Sequence, residues 1–435
     1  MSPTAKTVEP SPSSPEEKAP AKEAPKKKKA PKKKKEPKEP KKKDPSRRDK
    51  ALAAVDSARK DMDGLGDIKL ANDTYTPSVM YRLPTGVLSL DIALRGGIPS
   101  CSITEFVGME SSGKTYLANL TAYMQQCIYG KKCNIFVGST EGNYDKGFGR
   151  MAGLIIPYSI KEIELTQRNL KRLDKPALTK EEIAELKKEL GLFIDVEAES
   201  GEAFFDGILD LLHSDAFNIG IVDSIGNIDT ADELDKKLSK AKKVGEIALL
   251  VRRLVGRATG ILRASENMST MIFINQYRFK IGTQAKSDTG LLSHSGGKSL
   301  EHAKRLSIFF RNGKKYKPKD ATRPTHKDVH WQVLKGKGGV HEGISGTFRF
   351  DFSFGIDVWR DTLEQASRQG VIDSAGGGNY SYDSAIRDEL FKWKGQDTVL
   401  EFLRDPDNGD IMWEIRDRCY EEAGINAEYE RTLGS

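Results

Sequence analysis

Short apolar segments alternate with amphipathic helical patterns between residues 75 and 355. Five of the apolar segments have the length and the branched or aromatic composition of buried strands. They cover residues 102–107, 134–137, 217–222, 271–275 and 306–310. Helical patterns separate most of them. Because strands that alternate with helices form a sheet covered on both faces, this order predicts an α/β fold with a mostly parallel sheet flanked by helices.

The alternation is interrupted over residues 158–192. Ser159 and Thr179 are each followed three residues later by glutamate, as in a helix-capping box, and Pro176 lies between these two segments. Apolar residues then recur at helical spacing after the second segment. We predict a charged helical hairpin inserted into the sheet domain. An ordinary surface excursion without a dedicated function is an equal alternative.

Helical patterns also lie on both sides of the sheet domain. Residues 47–63 predict a helix with one narrow apolar side, and a flexible link follows it. Helical patterns return over residues 359–369 and 398–422, with a glycine-rich stretch between them. The expected organisation is a tail over residues 1–46, an N-terminal helix and linker over 47–74, a core over 75–355 and a small C-terminal α/β domain over 356–435.

The basic surplus of the sequence is confined to its amino terminus. Of the 70 basic and 63 acidic residues, the first 50 positions hold 18 and 8, so the remaining positions carry 52 and 55. The tail is almost entirely Pro, Lys, Ala, Ser and Glu, a composition that does not bury enough apolar area to fold, and we expect it to be disordered. It is either a solvated spacer or a salt-dependent tether to nucleic acid, and we favour the tether.

The remaining composition indicates a soluble protein of a reducing compartment. Hydrophobic residues make up 37% of the chain and charged residues 31%, as in proteins with a substantial core. We find no apolar run of about 18 residues that would span a membrane, and the charged amino terminus does not resemble a secretory signal. The four cysteines have neither metal-binding nor disulfide spacing, so we expect a cytoplasmic protein.

Residues 108–115 read Gly-Met-Glu-Ser-Ser-Gly-Lys-Thr and fit the phosphate-binding pattern G-x-x-x-x-G-K-[ST] in full. The segment follows one predicted strand and precedes a helical pattern over residues 116–129, which is the context that such a loop requires. Glycine lets the backbone wrap closely around phosphates, and the following helix adds the positive end of its dipole. We expect ATP to be bound by Gly108, Glu110, Ser111, Ser112, Gly113, Lys114 and Thr115.

Three further polar residues end or follow apolar strands. Asp223 closes the strand that ends at residue 222, where its carboxylate would bind Mg²⁺ together with the hydroxyl of Thr115. Glu141 follows another strand and would orient or deprotonate the attacking water, although alone it could equally be a surface acid. Gln276 ends a third strand and would sense the γ-phosphate. Ligands bind at the carboxyl ends of parallel strands, so we expect these side chains to meet at one edge.

Several longer segments resemble the RecA family in order and spacing. Beside GMESSGKT, they are IVDSIG (221–226), FINQYRFKIG (273–282), GVLSLDIALRGGIPSCSITEFVG (86–108) and GEAFFDGILDLL (201–212). The likeness covers most of residues 48–415, and the FINQ-x-R-x-KIG segment occurs in few other nucleoside triphosphatases. The DSIGN segment and the C-terminal layout are also similar to the phage relatives of RecA typified by UvsX, so we expect a phage-encoded member.

The resemblance implies a role for each matching position. Glu141 would be the catalytic glutamate, and Phe148 would stack on the adenine of ATP. Asp145 follows the glutamate at the family's interval and would belong to the same nucleotide site. Gln276 would link the γ-phosphate to a DNA-binding loop.

Lys335 and Lys337 match a lysine pair that, in this family, reaches the ATP of the neighbouring subunit. The resemblance therefore implies an active site between subunits, with hydrolysis coupled to the state of a filament. Without the resemblance these two lysines would be interpreted as solvated loop charges. The expected catalytic set is Glu141, Lys114, Gln276, Lys335 and Lys337.

Two loops are expected to contact DNA, one near residues 229–243 and one over residues 278–298. A glycine-rich basic loop at the end of a strand can place N–H and ammonium groups on phosphates without reading the sequence of bases. Arg252, Arg253 and Arg257 precede residue 271 on a predicted helix and are further candidates, with a solvated helix face as an equal alternative. The candidates in the second loop are Arg278, Lys280, Lys286, Gly296, Gly297 and Lys298.

The residues and the resemblance together favour an ATP-dependent DNA recombinase. Such a protein would form a helical filament on single-stranded DNA with ATP and Mg²⁺, search double-stranded DNA and exchange strands. The N-terminal helix would bind the next subunit and give a head-to-tail assembly, and single-strand-binding or mediator proteins would be further partners. The alternatives are a hexameric DNA motor or helicase with the same fold, and a nucleotide-dependent scaffold with little turnover.

Overall fold

The computed structural model describes residues 47–61, 81–140, 142, 144–225, 246–279, 292–294 and 297–425. By its internal contacts the chain divides into two units, residues 1–74 and 75–435. In the first unit the structure describes one helix, α1 (Arg47–Asp61), which confirms the helix predicted over residues 47–63. The four-part organisation, with its boundary at residue 356, stays a prediction.

Strands and helices alternate along the second unit. The strands are β1 (Arg82–Leu83), β2 (Ile98–Pro99), β3 (Ile103–Gly108), β4 (Ile135–Ser139), β5 (Phe193–Val196), β6 (Ile219–Asp223), β7 (Thr270–Phe279), β8 (Leu292–His294), β9 (Leu306–Tyr316), β10 (His326–Gly336), β11 (Ser345–Asp351), β12 (Gly355–Ile356), β13 (Asn379–Ser384) and β14 (Glu389–Lys394). The helices are α2 (Leu88–Ala93), α3 (Lys114–Tyr129), α4 (Lys146–Met151), α5 (Ile160–Arg172), α6 (Lys180–Leu186), α7 (Gly201–His213), α8 (Glu246–Ala264), α9 (Gly297–Ala303), α10 (Val358–Gln369), α11 (Gln396–Arg404) and α12 (Gly409–Glu422). Among the described helices, none is long and apolar enough to cross a membrane.

One large sheet organises this unit, with the strand order β12-β11-β10-β9-β3-β7-β6-β4-β5 and with β8 paired to β7. The strands from β9 to β5 pair in parallel, whereas β9 to β12 pair in antiparallel fashion. All five strands predicted from the sequence are present, as β3, β4, β6, β7 and β9. The α/β fold with a mostly parallel sheet is confirmed.

Alternate residues of the central strands face two separate cores, because side chains along a strand point to opposite faces of the sheet. On β7, Ile272 and Ile274 belong to the core that α3 covers, while Met271 and Phe273 belong to the core that α7 and α8 cover. Both faces of the parallel strands are therefore buried. This explains why these strands are continuous apolar runs in the sequence.

Within residues 158–192 the structure has two helices, α5 and α6, each preceded by a complete capping box as the sequence indicated. Their arrangement as an inserted hairpin stays a prediction. The N–H of Ser159 donates to Oε2 of Glu162 (2.8 Å), and the N–H of Glu162 donates to Oγ of Ser159 (3.2 Å). Nη1 of Arg150, on α4, binds Oε1 of Glu162 at 2.9 Å. Burial alone would raise the pKa of Glu162, but the hydrogen bonds from Arg150 and Ser159 lower it to about 2.

The C-terminal residues form a small α/β layer with a core of its own. The β13–β14 hairpin and helices α10, α11 and α12 enclose a third cluster that also contains Leu88 of α2. The helical pattern over residues 398–422 is two helices rather than one. A short 3₁₀ turn at Pro406–Asn408 separates them, because proline has no N–H to continue α11 and the side chain of Asp405 caps the turn.

Candidate nucleotide site and DNA-binding surfaces

The phosphate loop connects β3 to α3 at the carboxyl end of the parallel strands. A side chain is excluded at Gly108, since a Cβ there would lie 2.0 Å from the carbonyl oxygen of Phe310 on β9. Gly113 has a φ of 82° and precedes the first turn of α3, a left-handed conformation that favours glycine. Both glycines of the motif are thus required by the backbone path, which lets the loop curve tightly between strand and helix.

Two side chains of the loop region lie where the phosphate chemistry requires them. Lys114 is 6% exposed, and its Nζ donates to the carbonyl oxygens of Met109 (2.7 Å) and Gly108 (3.1 Å). The hydroxyl of Thr115 donates to Oδ2 of Asp223 at 2.6 Å. The two predicted magnesium ligands are therefore in contact, although 108 positions separate them in the sequence. Both offer oxygen atoms, the ligand type that Mg²⁺ prefers.

The register of the parallel strands brings three of the predicted residues to one edge of the sheet. Gly108 of β3 is paired with Gln276 of β7. Asp223, at the end of β6, lies beside Ile274 of β7. Glu141 lies outside the described residues, two positions after Ser139, which is paired with Asp223. The role of Glu141 stays a prediction.

Asp145 precedes α4 and Phe148 lies in its first turn, next to the start of α3. The side chain of Asp145 caps α4 by accepting a hydrogen bond from the N–H of Phe148 (3.0 Å). The ring of Phe148 meets Tyr116 of α3 edge to face, with 5.7 Å between ring centres. Phe148 thus contacts the helix that follows the phosphate loop. Its stacking on a base and the place of Asp145 in the nucleotide site stay predictions.

Lys335 and Lys337 lie towards the opposite end of the parallel strands, away from the phosphate loop. Lys335 is paired with Ser307 near the start of β9, whereas Phe310 of β9 is paired with Gly108. Three residues of strand separate the two levels along the sheet, a distance of about 10 Å. Nζ of Lys335 donates to the carbonyl oxygen of Glu301, and partial burial, together with the charge of Lys337, lowers its pKa. The structure does not bring this pair to the phosphate loop of its own chain.

The second predicted DNA loop is held by an antiparallel hairpin that begins directly after Gln276. Tyr277 is paired with His294, and Arg278 with Ser293. Gly297 and Lys298 begin α9. Lys280, Lys286 and Gly296 lie outside the described residues, as does the first predicted loop near 229–243.

The three arginines of α8 lie on its exposed face. Arg252, Arg253 and Arg257 are exposed, while Val251, Leu254 and Val255 of the same helix are buried against the sheet. The three side chains therefore face solvent, as both alternatives require. Their contact with DNA stays a prediction.

A strongly basic hairpin was missed by the sequence interpretation. The connection between β9 and β10, with the strand ends beside it, carries six exposed cations over residues 311–323 and one acid, Asp320. The strand β9 continues past Phe310, the partner of Gly108, so the hairpin extends beyond the edge that carries the phosphate loop. The run KKYKPK was the available signal. The exposed cations are Arg311, Lys314, Lys315, Lys317, Lys319 and Arg323.

A buried polar network beneath Gln276 was also missed. Glu105 of β3 is fully buried, and its carboxylate accepts hydrogen bonds from Asn275 Nδ2 (3.0 Å), Lys304 Nζ (2.6 Å) and Ser307 Oγ (2.8 Å). Oδ1 of Asn275 in turn accepts a hydrogen bond from the N–H of Gln276 (3.0 Å). The network fixes the end of β7 where the second predicted DNA loop begins.

The glycine-bounded loop, the Thr115–Asp223 pair and the central parallel strands define the fold and site of a P-loop nucleoside triphosphatase. Residues 178–341 match the family model of the RecA N-terminal domain. The chain is similar to recombinases of the RecA family over most of its length. Neither the fold nor the matched relatives favour the hexameric motor.

The curated relatives are bacterial proteins that match almost over their full length. Protein RecA of Geobacter metallireducens is 28% identical over 384 residues, which cover 87% of this chain and 96% of the relative. Protein RecA of Kineococcus radiotolerans is 28% identical over 387 residues, covering 87% and 92%. Protein RecA 2 of Myxococcus xanthus is 26% identical over 394 residues, covering 87% and 91%. The phage origin stays a prediction.

Proposed function

We propose that this chain is a DNA-dependent ATPase that assembles as a helical filament on single-stranded DNA and exchanges strands with a homologous duplex. One observation carries the proposal. Gly108, which opens the phosphate loop, lies beside Gln276, and the hairpin that leads to the second predicted DNA loop starts at the next residue. A nucleotide bound to the phosphate loop and DNA bound to the hairpin would therefore both influence the position of β7.

The residues of the site suit ATP hydrolysis. The ammonium group of Lys114 would move from its own loop carbonyl oxygens to the β- and γ-phosphates, and the N–H groups of the loop would bind the same oxygens. The Thr115 hydroxyl and the Asp223 carboxylate would hold Mg²⁺, which neutralises phosphate charge when bound. Glu141 would orient the attacking water and accept its proton.

The lysine pair supports an active site shared between subunits. Lys335 lies about 10 Å along the sheet and two strands across it from its own phosphate loop, and Lys337 lies farther away. Neither ammonium group reaches that loop. In a head-to-tail assembly, one edge of a subunit faces the opposite edge of the next. The pair would then neutralise charge on the ATP of the neighbour, so turnover would require the filament.

The basic hairpin of β9 and β10 supports binding of DNA at the end of the sheet that carries the phosphate loop. Six exposed cations on a short hairpin form an electrostatic site for phosphates that does not depend on base sequence. The arginines of α8 would add to it. We propose cytoplasmic action, with single-stranded and double-stranded DNA as partners and with mediator or single-strand-binding proteins assisting assembly.

The test is ATP hydrolysis by the full-length protein with and without single-stranded DNA, at two salt concentrations. We expect strong stimulation by single-stranded DNA, weaker stimulation at high salt and no turnover in Lys114→Ala. Turnover that does not respond to DNA would contradict the proposal and would favour a motor acting by itself. The absence of turnover in the wild-type protein would favour a scaffold.

A further inference from the structure

A buried lysine lies directly behind the phosphate loop. Lys327 of β10 is 4% exposed, and its Nζ donates to the carbonyl oxygen of Ser111 and to Oδ1 of Asn312 (2.8 Å). The side-chain nitrogen of Asn312, on β9, donates to the carbonyl oxygen of Glu110 (3.1 Å). Two consecutive carbonyl groups of the loop are therefore held by side chains from the neighbouring strands.

Aromatic rings lie on other sides of this ammonium group. Nζ of Lys327 is 5.4 Å from the ring centre of Phe350 and 5.7 Å from that of Phe352, which is within range of cation–π attraction. Phe350 also packs near the loop, since a Cβ on Gly113 would lie 3.3 Å from its ring. Burial, and secondly the charge of Lys315, lower the pKa of Lys327. The ammonium group of Lys327 is thus enclosed between the phosphate loop and the rings of Phe350 and Phe352.

The hydrogen bond to Ser111 fixes a part of the loop that is otherwise strained. Ser111 has a φ of 55°, a left-handed conformation that residues other than glycine rarely adopt and that persists only where the surroundings hold it. In a trans peptide the C=O and the following N–H point in opposite directions. A carbonyl of Ser111 directed at Lys327 therefore directs the N–H of Ser112 away from β10. The bond from Asn312 to Glu110 directs the N–H of Ser111 in the same way.

We propose that Lys327 is a positioning residue for the phosphate loop. By holding the carbonyl group of Ser111, it keeps the N–H of Ser112 aimed at the nucleotide phosphates before they bind. This inference rests on the proposed function, because it takes nucleotide binding by residues 108–115 as its starting point. It adds a residue 216 positions away from the loop in sequence, outside the phosphate-binding motif.

The proposal has a kinetic signature that a purely structural role lacks. Without Lys327, only a fraction of the molecules would hold the loop in its competent shape, and the apparent Kd for ATP would rise by the inverse of that fraction. Once ATP is bound, its phosphates themselves hold the loop. The KM for ATP should therefore rise while kcat at saturating ATP stays the same.

The experiment compares Lys327→Met with the wild-type protein in two assays: binding of a fluorescent ATP analogue without DNA, and ATP hydrolysis with single-stranded DNA. Loss of a charge-assisted hydrogen bond should raise Kd and KM about tenfold or more, with kcat within about twofold. Lys327→Arg keeps a charged donor and should recover most of the affinity. Lys132→Met is the matched control, since it removes one exposed lysine away from the loop and should leave both constants unchanged.

Two results would overturn the inference. The first is an unchanged Kd and KM in folded Lys327→Met, which would show that the loop needs no support from β10. The second is a loss of kcat with an unchanged KM, which would mean that Lys327 acts on the reaction itself. If Lys327→Met does not fold by circular dichroism, Asn312→Ala, at a partly exposed position, should give a smaller rise in Kd, and its absence would overturn the inference equally. A wild-type protein that binds no nucleotide would instead contradict the proposed function.

Discussion

Replacing Glu105 by glutamine should destabilise the protein by about 3 kcal/mol. Removing one partner of a buried ion pair costs about 3–5 kcal/mol, because the other charge remains buried without compensation. Lys304, which binds Glu105 at 2.6 Å, is 2% exposed and would be that charge. It keeps a second partner, Oε2 of Glu301 at 2.8 Å, whose side chain is 47% exposed. The remaining ion pair reduces the loss, which places the expected value at the lower end of the range.

The assay is urea-induced unfolding of the nucleotide-free protein, followed by circular dichroism. The slope of the unfolding free energy against urea concentration should be the same in all variants, which shows that their folded and unfolded states are equally compact. Glu301→Gln is the control, because it removes the partly exposed partner of the same lysine and should cost no more than about 1 kcal/mol. The double change Glu105→Gln with Lys304→Met should recover much of the loss, since no unpaired charge then stays buried. A loss below about 1 kcal/mol for Glu105→Gln, or an equal loss for Glu301→Gln, would refute the assigned role of the pair.

Three further changes test the phosphate loop, the basic hairpin and the hydrogen bonds of Glu162. Lys114→Ala should abolish binding of a fluorescent ATP analogue while leaving the thermal unfolding temperature nearly unchanged, and retained binding would remove Lys114 from the site. Changing Lys314, Lys315 and Lys317 together to glutamine should lower the slope of log affinity for DNA against log salt by about 2, and an unchanged slope would exclude the hairpin from the DNA interface. The pKa of Glu162 is lowered to about 2 from an ordinary value of 4.5, so its contribution to stability is present above about pH 5 and is lost as the pH falls towards 2. The difference in unfolding free energy between wild type and Glu162→Gln should decrease over that range in acid titrations, and a difference that does not change with pH would contradict the assigned hydrogen bonds.

The parts of the fold that the sequence predicted correctly depend on local patterns. The five central strands are apolar runs because both faces of the parallel sheet are buried, and the capping boxes at Ser159 and Thr179 place the helices of the insertion. The phosphate loop was predicted because its residues are contiguous. The helical pattern over residues 398–422 was imprecise where Pro406 interrupts it, a breaker that was visible in the sequence.

The parts that the sequence did not predict depend on strand register over long separations. Glu105 and Lys304 are 199 positions apart, and Lys327 and Ser111 are 216 apart. Such pairs become neighbours only through the order β10-β9-β3-β7, which no local pattern contains. The family resemblance supplied the role of Lys335, yet its place at the far edge of the sheet follows from pairing with Ser307.

Mixing two inactive proteins tests whether the next subunit completes the ATPase site. Glu141→Gln would lack the group that activates water but keep its lysine pair. The double change Lys335→Ala with Lys337→Ala would keep its own phosphate loop and Glu141. Each should be inactive alone on single-stranded DNA. In an equal mixture, about a quarter of the subunit contacts would combine Glu141 of one subunit with an intact lysine pair of the next. We therefore expect turnover approaching about a quarter of the wild-type rate. A mixture as inactive as its two components would contradict it.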